Sequence, residues 1–94
     1  MDTMTAARVE QLKPALKELI VEECDKDIAP ETIDADALVI GGPLDLDSLD
    51  ALQILLAVQK RYGVRIQSGP DARHALTSIT CLAETIARRE SAQG

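Results

Sequence analysis

Apolar residues recur at three- and four-residue intervals in three separate stretches of this sequence, and that spacing restricts the chain to helices packed on one another. In the first stretch Val9, Leu12, Leu16, Leu19 and Ile20 alternate with Lys13, Lys17, Glu18, Glu22 and Glu23, which predicts an amphipathic helix reaching Cys24. Pro14 interrupts it. Proline lacks the N–H that the helix needs, and its ring clashes with the preceding turn. The expectation is therefore a helix of about ten residues with Pro14 in its first turn, preceded by a looser helical lead-in from Thr5 to Leu12.

The second stretch begins at Asp47, whose carboxylate can accept hydrogen bonds from the amides of a following helix, and Asp50 places another carboxylate in the first turn. The helix is expected to run to Tyr62, with Lys60 and Arg61 in its last turn and Gly63 as its cap. Within it, Ile54 to Val58 are apolar on nearly every side. One core-facing stripe does not need that much, so part of this surface is expected to meet a partner or a ligand. In the third stretch Thr77 or Ser78 caps a helix whose apolar stripe is Ile79, Leu82, Ala83 and Ile86, and Arg88 and Arg89 suit its end. A short helical piece is expected around Asp71–Leu76, after turn residues Ser68 to Asp71; Val64 to Ile66 is too short for a strand on alternation alone.

Between the first two helices lies DKDIAPETIDADALVIGGPLDLD, from Asp25 to Asp47. Loops of this length are usually functional or pinned by their own side chains. Ile28, Ile33, Leu38, Ile40, Leu44 and Leu46 are spaced as such pins, and Pro30 to Ile33 suits one helical turn. The fold expected is all-α: a small four-helix bundle, three helices longer and one short, with a long loop between helices I and II. One domain is expected over 1–94, its core at about 12–89 and its ends, 1–8 and 90–94, frayed.

Composition narrows the function. The chain has 94 residues, a net charge of −6, and Tyr62 as its one aromatic residue, so it repels phosphate backbones and offers no platform for stacking bases. Nucleic acid is disfavoured as a partner and basic protein surfaces are favoured. No apolar run is long enough to insert in a membrane, the N-terminus lacks the apolar run of a signal peptide, and a cytoplasmic location is expected. Cys24 and Cys81 lack metal-ligand spacing; with His74 they could make a three-ligand site, but nothing in the pattern unites them, and no metal is expected.

Ser48, between Asp47 and Leu49, has four readings. It can be an ordinary small polar residue of a first helical turn. A calcium loop fails, because the position that needs glycine is Asp50 and the one that needs a bidentate glutamate is Leu56. A catalytic serine needs a base, yet His74 lies in a polar segment and no G-x-S-x-G turn exists. The fourth reading is a covalent attachment point for a phosphate-linked group, exposed at a helix N-terminus where amides and dipole favour an anion.

The run LDLDSLDALQILLAVQKRYGVRI resembles the attachment motif and second helix of acyl carrier proteins, in which D-S-L at the start of helix II bears 4′-phosphopantetheine. KELIVEECDKDIAPETIDADALVI is similar to that family's first helix and long loop, and ITCLAETIARR to its last helix, so the resemblance covers roughly Leu12 to Arg89. It implies a carrier that is not itself an enzyme. A phosphopantetheinyl transferase, using coenzyme A and magnesium, would attach the arm to Ser48, and the carrier would take acyl thioesters between enzymes of a fatty-acid or polyketide-type pathway. The resemblance also implies that Asp47, Leu49, Asp50, Leu56 and Ile66 meet the transferase and synthases through basic docking patches. It makes Leu38, Ile40, Ile54, Val58, Leu76 and Ile79 candidates for lining an acyl pocket. A monomer suits such a shuttle. Two alternatives stay open: a peptidyl or aminoacyl carrier with the same arm, and a helical interaction module without a prosthetic group.

The sequence departs from the family's usual pattern in three places. Asp45 replaces the glycine usual three residues before the serine, Pro43 stiffens the same approach, and Gln53, Gln59, Lys60 and Arg61 stand where helix II is usually acidic. The negative strip is thereby confined to the first turn of that helix.

Overall fold

The computed structural model describes residues 3–40, 42, 46–67 and 69–93, and places in them four α-helices: α1 (Thr3–Glu23), α2 (Ser48–Tyr62), α3 (Pro70–Ala75) and α4 (Ile79–Gln93). A single 3-10 turn, Pro30–Thr32, lies in the long loop between α1 and α2. Among the described residues the only β-type pairing is one isolated bridge, between Ile40 and Leu46. Three helices are long and one is short, as the periodicity predicts.

Helix α1 is one continuous helix with Pro14 in its interior, so the expected short helix with a loose lead-in is replaced by 21 residues of regular structure. An interior proline costs about 3 kcal/mol. The stripe that overrides it runs past Pro14 on both sides: Val9, Leu12, Leu16, Leu19 and Ile20 are all buried. Pro14 and Glu10 lie on the exposed face, so the carbonyl that loses its helical N–H is on the water side. The helix ends where Asp25 takes a left-handed conformation (φ 52°) and the Lys26 amide donates to the Val21 carbonyl at 3.0 Å.

Helices α1 and α4 form the most extensive helix pair. Ile79, Leu82, Ala83 and Ile86 of α4 are buried against the α1 stripe, together with Ile54 and Val58 from α2. Both helices continue beyond the 12–89 span: Arg8 pairs with Glu90 through two contacts of 2.9 and 3.0 Å, and its guanidinium lies 5.8 Å from the centre of the Tyr62 ring. Val64 and Ile66 are buried while Arg65 is exposed, an alternation that presses an extended segment on the core without making a strand.

The long loop is held by hydrogen bonds as well as by apolar pins. Ser78, rather than Thr77, caps α4: its Oγ accepts from the Cys81 amide at 3.1 Å, while the Thr77 hydroxyl donates to the Arg73 carbonyl. The next free amide of α4, on Thr80, donates to the loop carbonyl of Ala35 at 3.0 Å, and the Thr80 hydroxyl donates to Asp36 at 2.8 Å. The Val39 amide donates to the Thr77 carbonyl at 3.3 Å. Of the expected apolar pins, Ile33 and Leu46 are buried and Ile40 is half-buried, but Ile28 and Leu38 are exposed, and Val39 is the buried residue between them. Leu44, Pro43, Asp45 and Ser68 lie outside the described residues.

Candidate functional site

The geometry at Ser48 follows from Asp47. Asp47 has an extended backbone and supplies the N-cap of α2: its Oδ1 accepts from the amides of Leu49 and Asp50 at 3.0 and 3.1 Å, and its own amide donates to Asp50 Oδ2 at 3.1 Å. This reciprocal arrangement is a capping box with an aspartate at both ends. The amide of Asp50, then that of Leu49, holds the Asp47 carboxyl below the usual carboxylate range.

Because Asp47 fills the capping role, Ser48 is the first residue inside the helix and its hydroxyl has no capping duty. The residue is exposed, and among the described residues its hydroxyl has no hydrogen-bond partner. One expectation is corrected here. Of the first-turn amides invoked to steady a bound anion, those of Leu49 and Asp50 are occupied by the Asp47 carboxylate, and that of Ala51 bonds the Asp47 carbonyl.

Ser48 borders a cleft of about 470 Å³ between α2, α3 and the long loop. Its α2 wall is Ala51, Leu52 and Leu55, three, four and seven residues after Ser48 and so on the same helical face. Leu38 and Ile40 of the loop and Leu76 after α3 close the apolar walls, while Arg73 and Thr77 add polar groups. Three of the six expected pocket residues therefore line this cleft: Leu38, Ile40 and Leu76. Ile54 and Val58 are fully buried in the core, and Ile79 lines a neighbouring hollow of about 250 Å³ beneath the loop, which Leu38 also borders. Sequence reading missed Ala51, Leu52, Leu55, Arg73 and Thr77 among the lining residues. The helical repeat counted from Ser48 would have found the first three; Arg73 and Thr77 carry no local signal.

The outer face of α2 presents Leu49, Leu52 and Leu56, which are 73%, 52% and 54% exposed. At one end of this stripe are Asp47 and the half-buried Asp50; at the other are Lys60 and Arg61, with Arg65 beyond. Ile66 is largely buried beneath the stripe, its remaining surface lining a hollow of about 400 Å³ with Leu52 and Leu56. On the inner side of the first turn, burial first and the Asp50 carboxylate second push the Cys24 thiol up to about 11. Cys24 and Cys81 are free cysteines, and among the described residues no group of three His, Cys, Asp or Glu side chains could hold a metal ion. Nor, among those residues, is any helix long and apolar enough to cross a membrane.

Ser48 thus presents an exposed hydroxyl, without a partner among the described residues, at the start of a helix and beside a mainly apolar cleft. No family model matches the chain, and no solved structure matches it significantly. One curated protein does: over 73 residues, 78% of this chain and 75% of the relative, it is 44% identical to "Polyketide-8 synthase acyl carrier protein 2" of Streptomyces avermitilis. With that identity and coverage, and with four helices ordered around a serine so placed, the chain belongs to the acyl carrier protein family, whose members are non-catalytic carriers.

Proposed function

We propose that this protein carries acyl intermediates of a polyketide-type pathway on a 4′-phosphopantetheine arm esterified to Ser48. The observation that carries the reading is the state of the Ser48 hydroxyl, exposed and released from capping by Asp47. When bound, the arm supplies a terminal thiol that holds the acyl chain as a thioester. A transferase using coenzyme A and magnesium would attach it: the Ser48 oxygen would lose its proton and bond the phosphorus that bears pantetheine, the pyrophosphate bond of coenzyme A would break, and adenosine 3′,5′-bisphosphate would leave, this chain contributing the attacking oxygen and the helical start that presents it.

Leu38, Ile40, Leu55 and Leu76 shelter the apolar part of the cargo in the cleft beside Ser48. Leu49 and Leu56, exposed on the outer face of α2, dock on partner enzymes, and Asp47 and Asp50 draw basic patches toward the serine end of the helix. Ile66 supports that face from below. A monomer working in the cytoplasm suits this role. The polyketide pathway is favoured over fatty-acid synthesis by the relative's name and by Gln53, Gln59, Lys60 and Arg61, which break the acidic strip expected of a fatty-acid carrier.

Intact mass spectrometry tests the attachment. Incubation with coenzyme A, magnesium and a broad-specificity transferase is expected to add one phosphopantetheine to the wild type and none to Ser48→Ala, whose thermal midpoint should be unchanged. A wild-type mass that stays constant with an active transferase rejects the reading and leaves an interaction module without a prosthetic group. The mass of the thioester that accumulates in cells separates an acyl from an aminoacyl cargo.

A further inference from the structure

Arg73 lines the same cleft as Ser48, on the α3 wall opposite the α2 residues. Its backbone is fixed, the amide donating to the Gly69 carbonyl at 3.0 Å and the carbonyl accepting from the Thr77 hydroxyl at 3.1 Å. Its guanidinium is not engaged. Other arginines are engaged: Arg61 faces Glu22, Arg88 donates to the Glu84 carbonyl, and Arg89 donates to the Arg65 carbonyl and faces Asp71, while the Arg65 guanidinium, beside Leu56 and away from Ser48, is as free as that of Arg73 among the described residues. Among the described residues Arg73 has no such partner, although it stands on the wall of an otherwise mainly apolar cleft.

Around Ser48 the demand for such a cation is unmet. The carboxylates of Asp47 and Asp50 crowd the start of α2, and Asp47 takes the amides of Leu49 and Asp50, two of those that would otherwise receive an anion. A guanidinium presents five donors and no acceptor, so it seeks oxygen acceptors, and its charge-assisted bonds to them are stronger than neutral ones.

Building on the attachment at Ser48, we propose that Arg73 is a positioning residue for whatever Ser48 carries, donating charge-assisted hydrogen bonds to an oxygen acceptor in the cleft. Two sources present that chemistry: the arm, through its phosphodiester and its amide carbonyls, and carbonyl or carboxylate oxygens along the cargo. A saturated acyl chain offers neither beyond its thioester. The residue therefore biases the cleft toward oxygen-bearing cargo, or fixes the root of the arm, according to which source it meets.

Nitrogen-15 NMR of the Arg73 side chain tests this on the full-length protein in four forms: apo, carrying the arm alone, and carrying hexanoyl or 3-oxohexanoyl groups. Intact mass first establishes loading. Engagement is expected to slow solvent exchange of the Arg73 Nε–H roughly tenfold or more, the size set by a charge-assisted hydrogen bond. Slowing with the arm alone identifies the arm as the acceptor, a phosphorus-31 shift then separating its phosphodiester from its amide carbonyls, and slowing only with the 3-oxo cargo identifies the cargo. Arg73→Gln, on an exposed side chain, should fold normally and lose the corresponding phosphorus-31 or carbonyl carbon-13 shift, and Arg73→Lys should keep part of it. Exchange that is equally fast in all loaded forms overturns the role of Arg73 while leaving the carrier reading intact. Absence of any mass gain overturns both.

Discussion

The two sides of this bundle are built to different ends. On one side α1 and α4 lie along each other with fully buried leucines and isoleucines between them, and polar residues appear at the margin as paired groups such as Arg8 with Glu90. On the other side α2 and α3 stand apart, and the space between them is a cleft with Ser48 at its border and exposed leucines on its outer flank. A chain of this size has only one small core to stabilise it. Centring that core on α1, α4 and the inner face of α2 leaves the gap between α2 and α3 and the outer flank of α2 open.

The contrast can be broken most directly from the closed side. Leu16→Ala removes a side chain with no solvent exposure and is expected to destabilise by about 2 to 5 kcal/mol, whereas Leu52→Ala, half exposed on the open side, should change stability by no more than about 0.5 kcal/mol. Urea unfolding of both variants measures the difference; equal losses would mean that the open flank is part of the core. A smaller effect is expected from charge on that flank. Gln53→Glu combined with Lys60→Glu extends the acidic strip along α2 and should raise several-fold the rate with which a housekeeping fatty-acid synthase accepts the loaded carrier, more at low salt than at high salt. Equal rates for the two proteins would detach the Gln53 and Lys60 positions from partner choice.

The smallest effects concern the seam where α1 meets α2. Asp47 has a lowered carboxyl pKa in the fold, so its contribution to stability is complete above its ordinary value of 3.8 and is lost as pH falls through the lower native value. Cys24 has the opposite sign. Its thiol is raised from 9.0 to about 11, so the fold keeps full stability below 9 and loses some as pH rises between these values. Thermal midpoints across pH should show Asp47→Asn flattening the acid limb relative to wild type, and Cys24→Ala flattening the alkaline limb.

Much of the open side was legible in the sequence because it is built from local signals. Asp47 before Ser48 and Gly63 after Tyr62 are cap residues whose effect needs no distant contact, and in the structure Gly63 takes the left-handed conformation (φ 68°) that ends α2. Pro14 was misread because a local rule was set against a non-local gain: the proline penalty is visible in sequence, while the burial of Val9 and Leu12 beside α4 is not. The loop shows the same limit. Leu38 and Val39 are neighbours of similar character, and the contacts that place Val39 inward, with its amide bonded to the Thr77 carbonyl, lie far along the chain. Ile54 and Val58 were expected at the cleft and belong to the core because α2 is apolar on two faces, and spacing alone does not say which face meets α1.

The pairing of Arg8 with Glu90, with the Tyr62 ring beneath the guanidinium, joins the outer ends of three helices at one point. Tyr62 ends the 15-residue helix that Ser48 begins, so this knot lies about 20 Å from the serine. A group esterified to Ser48, as proposed, would hang from the end of α2 opposite this knot, about four helical turns from the point where the three helices are fastened together.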